Sequence, residues 1–260
     1  MGFLDKFRKK PRVSPGGSPI YRYEDREDRG WRPPEACGTY AQAVNDRFQT
    51  LFPGRECFVF HELISDLVHI DVNILRPTAE QNFYVLYTTG MSDLPMTLPD
   101  EIADREDLKY AELYLFLPAE WDLGETGGTD RDLPERSYWP IRMLKFLARF
   151  PHQYQTWLGW GHTMPNGPDY APLGDGVGFG GMVLTWSDGE LGGFEAEDGR
   201  RIQFYSVIPA YKEEIEFKLK YGMESLHQRF CQGGLPMVLD IHRPNLCPDF
   251  HEVLDGETDG

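Results

Sequence analysis

The chain has 260 residues, of which 40% are hydrophobic and 13% aromatic, enough for one substantial core. Its 26 basic and 42 acidic residues give a net charge of −16, which repels nucleic-acid phosphates and disfavours a DNA- or RNA-binding protein. No run of 18 apolar residues predicts a membrane span, and the four cysteines form no C-x-x-C pair, so we expect free thiols and a cytoplasmic location.

Residues 1–35 are predicted to be a flexible N-terminal tail. Five prolines interrupt this segment, and its charged run YEDREDRG has nothing to bury. Its basic start, MGFLDKFRKKPR, lacks the apolar stretch of a secretory signal. We expect a single domain over residues 36–250 and a flexible tail over residues 251–260.

The first half of this domain is predicted to contain one helix followed by three strands. Apolar residues recur every three or four positions over residues 38–51, which indicates a helix. Residues 67–75 alternate strictly between apolar and polar, and residues 83–91 form a second strand that pairs with the first as a hairpin. The nearly continuous apolar run at 111–118 predicts a strand buried on both faces.

The second half is predicted to begin with a helix over residues 138–150, with Pro140 in its first turn. A Gly- and Pro-rich loop follows, and then come strands at 181–186 and 201–209, the second of them preceded by an Asp-Gly turn. After Pro209, one helical stripe runs from Tyr211 to Leu226, with Glu214–Lys218 and Glu216–Lys220 as surface ion pairs. A last strand is expected at 236–242. The fold class is therefore α+β, a single compact domain with a mixed, largely antiparallel sheet and packed helices.

Polar residues near the predicted hairpin suggest a metal site only weakly. His69 and Asp71 are two positions apart on one strand and point the same way, and imidazole and carboxylate are suitable zinc ligands. No tight ligand spacing accompanies them, so an exposed or internally hydrogen-bonded polar face explains them better. We therefore assign no metal, no cofactor and no catalytic residue. The full set comprises His61, Glu62, His69, Asp71, Asp93 and His162.

A glycine pattern and the possible nucleophiles give even weaker evidence of a functional site. Gly176, Gly178 and Gly181 match G-x-G-x-x-G, but a strand rather than a helix follows them, so a pyrophosphate site is not expected. No nucleophile signature surrounds the cysteines or serines.

The stretch TTGMSDLPM, residues 88–96, is predicted to be a structural corner, with direct partner contact as the alternative. Gly90 permits a turn that a Cβ would obstruct, and Ser92 or Asp93 would fix the loop through local hydrogen bonds. His61, His69, Asp71 and His162 are predicted to surround this corner as a polar network. The residues predicted to organise these loops or to bind a partner are His61, His69, Asp71, Ser92, Asp93, His162 and Asn166.

Several segments together resemble the suppressor of fused domain family, in order and spacing, over residues 40–245. The segments are HELISDLVHIDVNILRPT at 61–78, FYVLYTTGMSDLPM at 83–96, AELYLFLP at 111–118, YWPIRMLKFLARFPHQYQTWLGWGHTMPNG at 138–167 and FYSVIPAYKEEIEFKLKYGMESL at 204–226. The chain resembles the short bacterial members more than the animal proteins, which carry a second, C-terminal domain.

The resemblance implies a compact α+β domain that binds proteins and has no established catalytic residues. Animal members hold a transcription-factor segment partly by adding it as a strand, and many bacterial members are regarded as immunity proteins against toxins encoded nearby. Our first hypothesis is an immunity protein that occludes a basic toxin domain such as a nuclease. A module that captures an extended peptide is the alternative, and a metal-dependent enzyme ranks last. The oligomeric state stays open.

Overall fold

The computed structural model of the chain describes residues 12–23, 37–62, 67–124 and 133–250. The remaining parts of the predicted tails, including residues 251–260, lie outside these ranges. The helices are α1 (Ala41–Leu51), α2 (Glu135–Tyr154), α3 (Lys212–Tyr221) and α4 (Met223–Gln232). The strands are β1 (Arg12–Val13), β2 (Pro19–Ile20), β3 (Cys57–Phe60), β4 (Asp71–Leu75), β5 (Phe83–Thr89), β6 (Tyr110–Pro118), β7 (Thr163–Pro165), β8 (Gly181–Thr185), β9 (Gly193–Glu195) and β10 (Arg201–Ala210).

Eight strands form one mixed sheet in the order β3-β4-β5-β6-β10-β8-β7, with β9 paired to β10. The pairing of β6 with β10 is parallel and places Ile202 beside Tyr110, while the other pairings in this sheet are antiparallel. This arrangement confirms the predicted α+β class and the predicted hairpin of β4 and β5.

The central strand β6 is buried on both faces, as its apolar sequence predicts. Because successive side chains of a strand point to opposite faces, β6 contributes to two hydrophobic clusters. Leu113 and Leu115 belong to the cluster that includes residues of α2, and Tyr114 and Phe116 belong to the cluster that includes residues of α1. The sheet therefore lies between α1 on one face and α2 on the other.

Helix α1 confirms its predicted apolar stripe, because Val44 and Phe48 are fully buried. The Phe48 ring stacks on Tyr87 of β5 with 3.9 Å between ring centroids. This contact anchors α1 over the middle of the sheet.

Several predicted boundaries were wrong. The alternating stretch at 67–75 becomes a ladder strand only at Asp71. Helix α2 begins at Glu135, so Pro140 lies in its second turn and not in its first. The loop after α2 contains the short strand β7, which pairs with β8.

The single helix predicted after Pro209 was also wrong, because α3 and α4 are separated at Gly222, which has φ 88°. The predicted surface pair of Glu214 with Lys218 was wrong as well, since Glu214 is fully buried and bonds Arg243. The expected strand at 236–242 is reduced to a single bridge between Val238 and Phe116.

Part of the segment predicted as a tail lies against the domain. Strands β1 and β2 form a hairpin whose Gly16 donates a backbone hydrogen bond to Leu219 of α3 at 2.8 Å. The Tyr23 hydroxyl lies 2.7 Å from Thr156 Oγ1. Within the described ranges, none of the helices combines the length and the apolar character that crossing a bilayer requires.

Candidate functional site

The corner after β5 depends on Gly90. This residue has φ 104°, and a Cβ at this position would overlap the backbone carbonyl oxygen of His69. The segment just before β4 therefore packs directly against the corner, and only glycine leaves room for it.

Asp93 holds the N-terminal end of α1. Its carboxylate accepts hydrogen bonds from the backbone N–H groups of Gly38 at 2.5 Å and Tyr40 at 3.1 Å. The N-cap residue of α1, Tyr40, makes no side-chain capping bond, and the first turn contains no acidic residue. Asp93 therefore supplies from a distant loop the negative charge that this helix end favours. These bonds are not the local ones that we predicted for the corner.

Ser92 binds a carboxyl group buried beneath the corner. Glu112 of β6 is completely buried, and its Oε1 accepts bonds from the Ser92 backbone N–H at 2.9 Å and hydroxyl at 2.6 Å. The Thr88 hydroxyl donates to Glu112 Oε2 at 2.6 Å. Burial raises the pKa of Glu112 to about 7, although the bonds from Ser92 and Thr88 lower it.

A histidine of α2 closes the corner from another side. His152 Nε2 lies 2.9 Å from the backbone carbonyl oxygen of Met91, which fixes this nitrogen as the donor. Burial lowers the pKa of His152, and the bond to Met91 opposes that effect. Residues 90–93 are thus tied to β6, α1 and α2, which favours an organising role for the corner.

Beside the corner, His61, His69 and Asp71 come together as one cluster. His61 Nδ1 lies 3.1 Å from Asp71 Oδ2, and His69 Nε2 lies 3.1 Å from Asp71 Oδ1. The His61 side chain is 68% exposed, whereas that of Asp71 is 17% exposed. Two imidazole groups therefore converge on one carboxylate near the protein surface.

Neighbouring groups hold this cluster in place. The backbone N–H of Glu62 donates to Asp71 Oδ1 at 3.1 Å, and the Glu62 side chain accepts a bond from the Ile70 backbone at 3.2 Å. The same Glu62 side chain pairs with Arg149 of α2. Lys145 Nζ lies 3.4 Å from the backbone carbonyl oxygen of His61.

His162 and Asn166 lie elsewhere, around β7 at the opposite end of the sheet from β3 and β4. The His162 ring packs edge-on against Trp157 with 4.4 Å between centroids, and burial lowers the pKa of His162 to about 4, helped by the charge of Lys218. The Asn166 amide donates to the carbonyl groups of Ala171 and Pro172 and braces its own loop. The structure thus divides the predicted residue set between two places.

Sequence reasoning missed two buried carboxylates. Glu112 is the one charged residue of β6, and this isolation within a buried strand was the available signal. Glu214 binds Arg243 in a buried ion pair at 2.7 Å. These residues are 29 positions apart, so no local sequence pattern predicts their contact.

Exposed carboxylates gather where the parallel strands β6 and β10 begin. We call this surface the acidic end. One part is the loop before β6, and the other comprises the end of β9 and the turn before β10, which share this edge of the sheet because Ile202 lies beside Tyr110. The exposed carboxylates of the acidic end are Asp100, Glu101, Asp104, Glu106, Glu195, Glu197 and Asp198.

At the edge of the sheet, β3 pairs with β4 and has no second neighbour among the described strands. Three of its four residues are not fully covered, since Cys57 is exposed and Phe58 and Val59 are partly exposed, whereas Phe60 is buried. Such an edge offers backbone donors and acceptors to an added strand.

Known proteins resemble this chain in sequence and in fold. The family model described as suppressor of fused protein (SUFU) matches residues 66–244. A SUFU homologue of Neisseria gonorrhoeae FA 1090 is 18% identical, with a TM-score of 0.57 over 80% of this chain and 96% of that protein. The structure of a Sufu–Fu complex gives 17% identity and a TM-score of 0.56 over 80% of this chain and 93% of the matched one.

Drosophila suppressor of fused is 15% identical, with a TM-score of 0.53 over 85% of this chain and 53% of the fly protein. No curated protein matches the sequence. The structural likenesses establish a shared fold, and the family match covers more than half of the chain.

Proposed function

The chain belongs to the suppressor of fused family, and from this premise we propose that it is a non-enzymatic protein-binding domain. More specifically, we propose a cytoplasmic immunity protein that neutralises a polymorphic toxin by covering its active site. One of the similar structures is a complex of Sufu with Fu, so a protein of this fold is found with a partner.

The observation that carries the finer proposal is the concentration of negative charge at the acidic end. The chain has a net charge of −16, and seven exposed carboxylates share this one end of the sheet. Arg105, Lys109 and Arg200 pair with Asp107, Glu106 and Asp198, which leaves five of the seven carboxylates without an ion pair among the described residues. A nuclease toxin needs a basic cleft for phosphates, and a negative surface steers such a partner into contact.

The first experiment identifies the partner among neighbouring gene products. The probe is the variable C-terminal domain of a large secreted protein encoded beside this gene, and binding is measured by surface plasmon resonance at increasing salt. We expect the association rate to fall steeply as salt screens the charges. Binding that does not depend on salt, or the absence of a binding partner among the products of neighbouring genes, would argue against the proposal that this protein binds a toxin through electrostatic attraction.

A charge-matched pair of variants then locates the surface. One variant reverses Glu101, Asp104, Glu195 and Glu197 to lysine, and we expect its association rate to fall by roughly ten-fold or more. The control reverses four exposed carboxylates elsewhere, and it has the same net charge. Its positions are Glu80, Glu120, Asp169 and Glu224. Equal losses in both variants would show that overall charge, and not the acidic end, governs binding.

The second candidate function is capture of an extended peptide along β3. The partly covered edge of this strand favours it, because an added strand would satisfy the backbone groups that β4 leaves unpaired. The two functions differ in what binds. An isolated linear peptide from the partner suffices for edge capture, whereas occlusion of an active site requires the folded toxin domain. Replacing Val59 with proline removes one backbone donor and should weaken only edge capture.

A further inference from the structure

The cluster of His61, His69 and Asp71 has the geometry of a metal centre. The candidate ligand atoms of these residues all lie within 4.8 Å of one another. Zinc bonds to nitrogen and oxygen are about 2.0–2.1 Å long, so two ligands of a tetrahedral zinc ion lie about 3.3 Å apart. Each imidazole nitrogen lies 3.1 Å from an Asp71 oxygen, which is close to that separation.

We propose that His61, His69 and Asp71 bind a Zn²⁺ ion. This inference revises our sequence-based assignment of no metal and is independent of the proposed function. Two imidazoles and one carboxylate suit zinc better than calcium or magnesium, which prefer oxygen ligands. Three protein ligands leave a fourth position for water or for a side chain of a bound protein.

Two of the three ligands are already fixed by the fold. Asp71 begins β4 and accepts the Glu62 backbone N–H at 3.1 Å. His69 lies between Val68 and Ile70, which are both fully buried, and its carbonyl group packs against Gly90. A site held in this way needs little reorganisation when it binds an ion. The third ligand, His61, is mostly exposed, so its ring can rotate to complete the coordination.

The surrounding charges are compatible with a cation. The carboxylate of Glu62 pairs with the nearby Arg149 and accepts a bond from Ile70, so it offsets the positive charge of Arg149. Lys145 directs its ammonium group to the backbone carbonyl oxygen of His61 at 3.4 Å. Asp71 remains to supply the negative charge at the ion.

The test is a zinc titration of the full chain after dialysis against a chelator. Binding is followed by isothermal titration calorimetry in the presence of a competing chelator, and Co²⁺ is used in parallel to report tetrahedral coordination by its visible absorption. We expect one equivalent of zinc and a rise in melting temperature on binding. His61→Gln and His69→Gln should each weaken zinc binding by at least roughly ten-fold. Because the His61 side chain is exposed, His61→Gln should leave the metal-free fold unchanged.

The controls address other zinc ligands of the chain. His242→Gln changes an exposed histidine outside the cluster and should leave zinc affinity unchanged. His227 Nε2 lies 3.6 Å from Cys231 Sγ, a second pair able to take zinc. Zinc binding that is lost in a His227→Gln, Cys231→Ser variant but survives in His61→Gln and His69→Gln would overturn the proposal. Failure of the unaltered chain to bind zinc would also overturn it.

Discussion

The carboxylate of Asp93 accepts a hydrogen bond from the backbone N–H of Tyr40, 53 residues earlier in the chain, at 3.1 Å. Its other oxygen accepts a hydrogen bond from the backbone N–H of Gly38. One side chain in the corner after β5 therefore binds the backbone at the N-terminal end of α1, which is distant in sequence. The corner and the helix therefore depend on each other.

Asp93→Ala should lower the free energy of unfolding by about 2–3 kcal/mol, because it removes two hydrogen bonds to a buried charged group and the anion at the N-terminal end of α1. Asp93→Asn should lose less, since its amide oxygen can still accept one of the two bonds. Urea unfolding followed by circular dichroism measures both. Asp104→Ala, an exposed carboxylate, is the control and should stay within about 0.5 kcal/mol. Unchanged melting of Asp93→Ala together with lost partner binding would make Asp93 a contact residue instead.

Gly90→Ala should be strongly destabilising for two separable reasons. The residue has φ 104°, and the new Cβ would overlap the His69 carbonyl oxygen. Gly54→Ala isolates the first reason, because Gly54 has φ 74° but nothing lies within 4 Å of its ideal Cβ position. We expect Gly54→Ala to cost about 1–2 kcal/mol and Gly90→Ala to cost at least about 2 kcal/mol more. If chemical denaturation gives similar losses of stability for Gly90→Ala and Gly54→Ala, the backbone at His69 moves aside at little cost in free energy.

The buried Glu112 makes stability depend on pH in a predictable direction. Its pKa is raised in the fold from 4.5 to about 7, so folding favours the protonated acid. The stabilisation that Glu112 contributes is fully present when the pH is below the pKa of this group in the unfolded chain. It is lost as the pH rises through the pKa in the folded protein, about 7. Between about pH 5 and about pH 8, this group should lower the free energy of unfolding by about 2–3 kcal/mol.

Glu112→Gln removes this titration while preserving the shape of the protonated acid. The amide can donate to Thr88 and accept from Ser92, the two residues that now hold the carboxyl group. We expect the variant to lose less stability than the unaltered chain over the same pH range in urea titrations. Parallel pH profiles for the two proteins would show that Glu112 remains ionised in the fold.

Local patterns predicted the elements whose burial is periodic. The stripe containing Val44 and Phe48 identified α1, and the unbroken apolar run identified β6, because in both cases side-chain spacing alone decides which face is covered. The same reasoning failed at Gly222, where the apolar stripe continues across a residue whose positive φ ends α3. The periodicity of apolar residues predicts which face is buried, but it does not predict where the backbone of a helix is interrupted.

The candidate site was predicted only where its members are close in sequence. His61, His69 and Asp71 lie in one short segment and were predicted together, and the pairing of β3 with β4 brings them into one cluster. His162 carried the same residue type but follows α2, and sheet order places it beside β7, far from β4. The partners of Asp93 and Glu112 arise from tertiary packing, so no spacing rule could reveal them.

The buried pair of Glu214 and Arg243 fixes the segment after α4 against the start of α3. The Nη1 and Nη2 atoms of Arg243 each donate to one Glu214 carboxylate oxygen at 2.7 Å, and Nη2 also donates to the Pro209 carbonyl oxygen at 2.9 Å. The guanidinium also stacks over Phe179, with 4.8 Å to the ring centroid. Glu214 in turn accepts the Tyr211 backbone N–H at the start of α3.

Arg243→Met should therefore cost about 3–5 kcal/mol, because it leaves the Glu214 carboxylate buried without its partner. The double variant with Glu214→Gln should recover part of this loss, since no uncompensated charge then remains in the interior. Arg142→Met is the matched control, because its ion pair with Glu135 is about half exposed and should contribute no more than about 1 kcal/mol. Chemical denaturation of the four proteins forms the comparison. If the double variant is no more stable than Arg243→Met, the loss reflects the missing bond to Pro209 and the ring contact, and not the orphaned charge.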